Sequence, residues 1–189
     1  MKTLLLIAMV WISTGLLAQP FTESIKEADV PAVVKETFEN NVGFPVDEWR
    51  KLTISGAPRF VAVFQMLDPA SGKTLQNRYR YNNNGRLTSY SQYRGSGIDQ
   101  AKDFYLDFLA EASDAFRKRI QKLLQDNTLL AFEGFSFVPG NQTDFIHTHR
   151  FVLKDKKGKR TVIYFSKDGT EVDMTNYPLR KTEAEELDL

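Results

Sequence analysis

Apolar positions along the chain change their period several times, and each change marks an element. Leu4 to Trp11 is a continuous apolar run behind Lys2, too short to cross a bilayer comfortably and built like an export signal. Ser13, Thr14 and Gly15 loosen its end, and Ala18 supplies the small residue that a peptidase requires, so cleavage is expected after Ala18. Next, Val30, Val33, Val34 and Phe38 recur at helical spacing. Asp29 stands where it can cap that helix, Pro31 is tolerated in the first turn, and the end is expected near Asn40–Asn41, before Gly43 and Pro45. Trp49 and Leu52 open a further element.

From Arg59 to Leu67 the period falls to two, with Phe60, Ala62, Phe64 and Met66 on one face and a largely apolar second face. Leu75–Tyr81 and Leu87–Tyr93 read as two more strands joined by Asn82-Asn83-Asn84-Gly85, whose residues supply the positive φ of a tight hairpin. Arg94-Gly95-Ser96-Gly97 reads as a linker. Helical spacing then returns from about Asp99 to Gln125, either as one long helix or as two short ones divided by a cap at Ser113-Asp114. Strands are expected at Leu130–Val138, Asp144–Leu153, Arg160–Phe165 and Thr170–Met174, with turns at Asp155-Lys156-Lys157-Gly158 and Lys167-Asp168-Gly169.

The halves echo one another. Residues 79–85 align without a gap on residues 163–169, and each hairpin follows a glycine turn, a longer strand and a helix. The expected fold is α+β, with two tandem units, each a helix packed on a four-stranded antiparallel sheet. Their boundaries are residues 19–96 and 97–181, between a signal peptide at 1–18 and a polar C-terminal tail at 182–189.

Composition narrows the function classes. The chain has no cysteine, so it can carry neither a lipoprotein anchor nor a disulfide framework, and its hydrophobic core must hold it. That suits a bacterial periplasm. Lys2 is the only charge in the signal, so the remainder balances 24 acidic residues with as many basic ones. A neutral surface offers no concentrated positive field for nucleic acid or anionic membrane. After signal cleavage, no segment is apolar and long enough to be an integral membrane span.

The helix Asp29–Phe38, followed by Trp49 and by an aromatic strand running into an Asn/Asp-Gly turn, resembles the PepSY-like periplasmic proteins of Bacteroidetes. In fold, those resemble the tandem units of β-lactamase-inhibitor protein. The likeness covers most of the mature chain and is weaker in the second helix. It implies export to the periplasm or outside, and non-enzymatic binding or inhibition. The family supplies no catalytic residues to carry over.

Candidate chemistry is sparse. With only His147 and His149, any histidine site must use this pair. Two residues apart on a strand, the imidazoles share a face about 7 Å apart, a spacing that can suit two ligands of one metal. No third ligand lies nearby in sequence, so no metal is assigned; a small-ligand or metal-binding protein using these histidines is the alternative function. Glu183, Glu185 and Glu186 read as a solubilising end, and the basic run Lys154–Arg160 as a solvated turn.

The sharper expectation concerns the sheet surface that the helices leave uncovered. A two-residue hairpin at Asp168-Gly169 would set Phe165 opposite Val172 and Ile163 opposite Met174 on the packed face, leaving Tyr164 on the other. The same register sends Tyr79, Tyr81 and Tyr90 inward and turns Arg78, Arg80, Ser89 and Tyr93 outward. Arg and Tyr are favoured interface anchors. The expected function is thus a non-enzymatic exported binding module, with Arg78, Arg80, Tyr93 and Tyr164 meeting a protein partner and no cofactor involved.

Overall fold

The computed structural model describes residues 21–54, 56–69, 72–96, 105–106, 108–139 and 142–174. The segment read as a signal peptide, residues 97–104 and the segment read as a polar C-terminal tail lie outside them.

Eight strands form one sheet in sequence order: β1 (Phe21–Ile25), β2 (Glu48–Ile54), β3 (Ala57–Leu67), β4 (Thr74–Asn82), β5 (Leu87–Ser96), β6 (Asn127–Phe137), β7 (Ile146–Asp155) and β8 (Arg160–Ser166). Every neighbouring pair is antiparallel. This corrects the expectation of two tandem units with a four-stranded sheet each. The Arg94–Ser96 stretch read as a linker is the end of β5. The outer edge of β5 is paired with β6 from Ser89↔Phe137 to Ser96↔Ala131, with a register shift after Tyr93. An unpaired edge is a row of unsatisfied N–H and C=O groups. Pairing β5 with β6 removes two such edges and fuses the halves.

Both helices lie on one face, here the helix face. α1 (Ala32–Asn41) connects β1 to β2 and buries Val34 and Phe38. Phe38 meets Trp49, Phe64 and Tyr81 edge-on, with ring centroids 5.7, 5.3 and 6.4 Å apart. Asp29 does not cap this helix: it belongs to a 3-10 turn, Glu27–Asp29, and Pro31 holds the N-cap position without a side-chain bond. The second helical region is divided, with helical residues at 105–106 and 108–111 and then α2 (Asp114–Asp126). Ser113 divides them, its Oγ accepting from the Phe116 N–H at 3.3 Å. Phe116 and Ile120 pack there with Phe132, Phe151 and Phe165 of β6, β7 and β8.

Three hairpins share one geometry. In each a backbone N–H bonds the carbonyl four residues on, Asn82 to Arg86, Asp155 to Lys159 and Ser166 to Thr170, and the fourth residue is glycine. Gly85, Gly158 and Gly169 have φ of +76°, +85° and +85°, the left-handed region in which glycine carries no steric cost. The Asn82 and Asp155 carboxamide and carboxylate oxygens accept two backbone N–H bonds each across their turns.

The Ser166–Thr170 loop holds three residues, one more than expected for Asp168-Gly169, and the extra residue moves the register. Phe165 opposes Glu171 in an isolated bridge, and the Val172 N–H bonds the Tyr164 carbonyl. A one-residue slip turns each side chain to the opposite face. Val172 and Met174 therefore pack with Phe135, Phe137 and Tyr164, away from the helices. Thr170–Met174, read as a strand, forms only that bridge. β1 was not legible as a strand.

Candidate binding face

The face opposite the helices, the far face, is built from rows that run across the strands. Strand register places Gln76, Tyr93, Glu133, Arg150 and Tyr164 opposite one another from β4 to β8. The adjacent row is Val63, Arg78, Ser91, Phe135, Thr148 and Ser166, and the next is Val61, Arg80, Ser89, Phe137 and Ile146. Neighbouring strands are about 4.8 Å apart, so β4 arginines and the β6 carboxylate fall within electrostatic reach of one another.

This face is deeply buried. Arg80 is 0% exposed, Arg150 and Glu133 are 1% exposed, and Arg78 is 9% exposed. Arg150 Nη1 donates to Glu133 Oε1 at 2.5 Å, a charge pair sealed from water on both sides. Burial pushes the Glu133 carboxyl up from its ordinary value, and the charges of Arg150, Arg80 and Arg78 pull against it. Arg78 donates to Gln76 Oε1 at 3.1 Å, and Thr148 Oγ1 to the Phe135 carbonyl at 2.8 Å. Toward β2 the same face carries the Glu48–Arg50 pair at 2.7 Å. Its hydrogen bond from Arg50 holds the Glu48 carboxyl below the usual range.

Arg150 on β7 thus bonds Glu133, and the charges of Arg78 and Arg80 on β4 act on the same carboxyl group. Arginine presents a planar fork of donors that matches carboxylate geometry, and here Arg150 turns one donor to Glu133.

The histidines lie on the helix face. His147 opposes Ser136, and its Nδ1 stands 2.8 Å from Ser136 Oγ and 3.5 Å from the Tyr90 hydroxyl. His149 stacks between Phe108 and Phe132, with centroids at 4.3 and 6.0 Å. Among the described residues no three His, Cys, Asp or Glu side chains are grouped so as to hold a metal. A cavity of 370 Å³ at the end of α1 is lined by Lys35, Phe38, Glu39, Phe44 and Trp49, and by neither histidine.

Compared with protein-family models, curated proteins and solved structures, the chain has no match. The functional reading therefore rests on this geometry.

Of the residues singled out in the sequence, Arg78, Arg80 and Tyr164 lie on the far face, and the backbone register puts Tyr93 in the same set. Arg78, Arg80 and Tyr164 are buried there rather than open to solvent. Tyr79, Tyr81 and Tyr90 take the helix face as expected, with Tyr79 and Tyr90 rings 5.1 Å apart. Sequence reasoning missed Glu133 and Arg150. The signal was present: Glu133 is the lone charge of its strand, and Arg150 is followed by the apolar run Phe151-Val152-Leu153, and charges in core strands are rarely left unpaired.

Proposed function

We propose that this protein is an exported, non-enzymatic binding module that engages an acidic partner segment through the far face of its sheet. The observation that carries the reading is the charged far face, where Arg150 bonds Glu133 and the charges of Arg78 and Arg80 act on the same carboxyl group. Burying an ion pair costs more desolvation than a hydrophobic pair of similar volume would. A buried Arg150–Glu133 pair is therefore a poor way to build a core, and arginine forks are a good way to recognise carboxylates. The far face presents guanidinium groups and aromatic rings, the residue types favoured at binding interfaces, which supports a binding role. The apolar run at residues 4–11 and the small residue at 18 support export. The Asp29–Phe38 segment and Trp49, which pack together here, support kinship with PepSY-like periplasmic proteins.

The test is affinity capture from a periplasmic extract, comparing the wild type with Arg78→Ala, whose folding is checked by circular dichroism. A single protein held by the wild type and lost by the variant supports the reading; equal retention by both overturns the assignment of this face. N-terminal sequencing of the exported protein is expected to start at Gln19, and a start at Met1 would overturn the signal assignment.

A further inference from the structure

The cavity at the end of α1 has an aromatic wall. Trp49 and Phe38, 7 and 4% exposed, meet edge-on, and Phe44, 42% exposed, stacks on Phe64 with centroids 6.0 Å apart. The way the helix ends puts Phe44 there. The Val42 and Gly43 N–H groups both bond the Phe38 carbonyl, and Gly43, at φ +67°, takes the left-handed conformation that closes a helix. Small-molecule sites are concavities of about 300–1,000 Å³ with apolar and aromatic walls and a few polar groups. This one, at 370 Å³, falls in that class.

Its polar groups are unmatched within the protein. Among the described residues Glu27, Lys35 and Glu39 enter no ion pair, although Lys35 and Glu39 stand one helical turn apart on α1, a spacing at which opposite charges can pair. The Trp49 indole N–H has no hydrogen-bond partner among them either, on a side chain more than nine-tenths buried. No backbone N–H of the described residues reaches the Glu39, Asn40 or Asn41 carbonyls. Such a helix end carries negative partial charge, and the last turn of α1 holds no basic residue to offset it.

We propose that this cavity binds a free amino acid with an apolar side chain. Its ammonium group meets Glu27, Glu39 and the negative end of α1, its carboxylate meets Lys35 and the Trp49 N–H, and its side chain lies against the rings. A plain amine would leave Lys35 and the indole N–H unanswered, and a plain acid would face two carboxylates. Only a zwitterion answers both sets. The cavity shares no residue with the far face, so the site does not rest on the partner-binding reading.

Trp49 reports on its own site. L-Phenylalanine, which does not emit in the tryptophan window, is titrated into the purified protein to about 10 mM, beyond a millimolar Kd. Phenethylamine, which lacks the carboxylate, hydrocinnamate, which lacks the ammonium group, and serine, which lacks the ring, are titrated alongside. The expected result is a saturable change in Trp49 fluorescence with phenylalanine, and binding about two- to fivefold weaker for each of the others. Lys35→Gln is expected to abolish the preference for phenylalanine over phenethylamine, and Glu39→Gln to narrow its preference over hydrocinnamate. Glu39 is exposed and Lys35 half-buried, so neither variant disturbs the core. No saturable change overturns the proposal, as does equal binding of phenylalanine and any of the three comparison compounds, or a set of preferences that neither variant alters. A fluorescence change that survives Trp49→Phe arises at Trp11 and overturns it as well.

Discussion

Two glycines eighty-four residues apart, Gly85 and Gly169, do more than turn the chain. Each is the seat of a helix. A Cβ on Gly85 would stand 2.9 Å from both the Thr37 hydroxyl and the Val33 carbonyl of α1, and a Cβ on Gly169 would stand 2.4 Å from Phe116 Cγ of α2. Gly158 has the same φ as Gly169, but its nearest neighbour would be the Lys154 side chain at 3.9 Å. The three sites thus separate backbone strain from steric exclusion. Gly158→Ala is expected to cost only the left-handed conformation, about 1 kcal/mol. Gly169→Ala must in addition push Phe116 off Phe165, and overpacking of this kind costs about 1–3 kcal/mol more. Urea unfolding of the two variants checks this, and equal losses would show that α2 does not rest on the turn.

Elements were more legible than their partners. The period of two gave β3 to β8 within a few residues, because apolar or aromatic side chains recur on the helix face of each strand, as Phe60, Ala62 and Phe64 do on β3 and Tyr79 and Tyr81 on β4. β1 escaped because Phe21–Ile25 offers little apolar alternation and sits at an edge. Loop length escaped because Lys167-Asp168-Gly169 fits both a two-residue and a three-residue hairpin, and that one residue decides which face Val172 joins. The β6–β7 charge pair could be suspected from sequence but not placed, since nothing local says that Glu133 and Arg150 share a register. Its pairing makes a pH prediction. Burial raises the Glu133 carboxyl above its ordinary value, so the folded chain keeps a proton that the unfolded chain has released. The associated stability is fully present below the ordinary carboxylate range and is lost as pH rises through the folded-state value. Glu133→Gln cannot ionise and still accepts from Arg150. In urea titrations from about pH 4 to about pH 8, the stability of the wild type relative to Glu133→Gln is expected to fall with rising pH; a flat difference would show that the carboxyl is not raised.

At the scale of the whole molecule, the sequence showed what the chain is made of and not how many bodies it makes. The same helices and meanders satisfy two separate sheets or one, and the choice lies in the pairing of β5 with β6, which no periodicity encodes. The candidate face was legible as a set of outward residues, Arg78, Arg80 and Tyr164, because side-chain alternation fixes the face once a hairpin is placed. Its burial was not, because burial depends on what lies across the sheet. A single sheet does have a mechanical consequence. Disrupting the helix-face cluster over β6 to β8 should be felt at β2, since the ladder between them is unbroken. Phe116→Ala removes a buried ring at a cost of about 3–5 kcal/mol, and Trp49, the only tryptophan after Trp11, reports on the opposite end beside Phe38. If the sheet unfolds as one cooperative unit, Trp49 fluorescence and far-UV circular dichroism trace the same urea transition, and Phe116→Ala shifts both midpoints equally. If the β5–β6 seam were weak, Trp49 would keep its wild-type midpoint while the dichroism split into two steps, because a ring lost from one end would leave the other end's packing untouched.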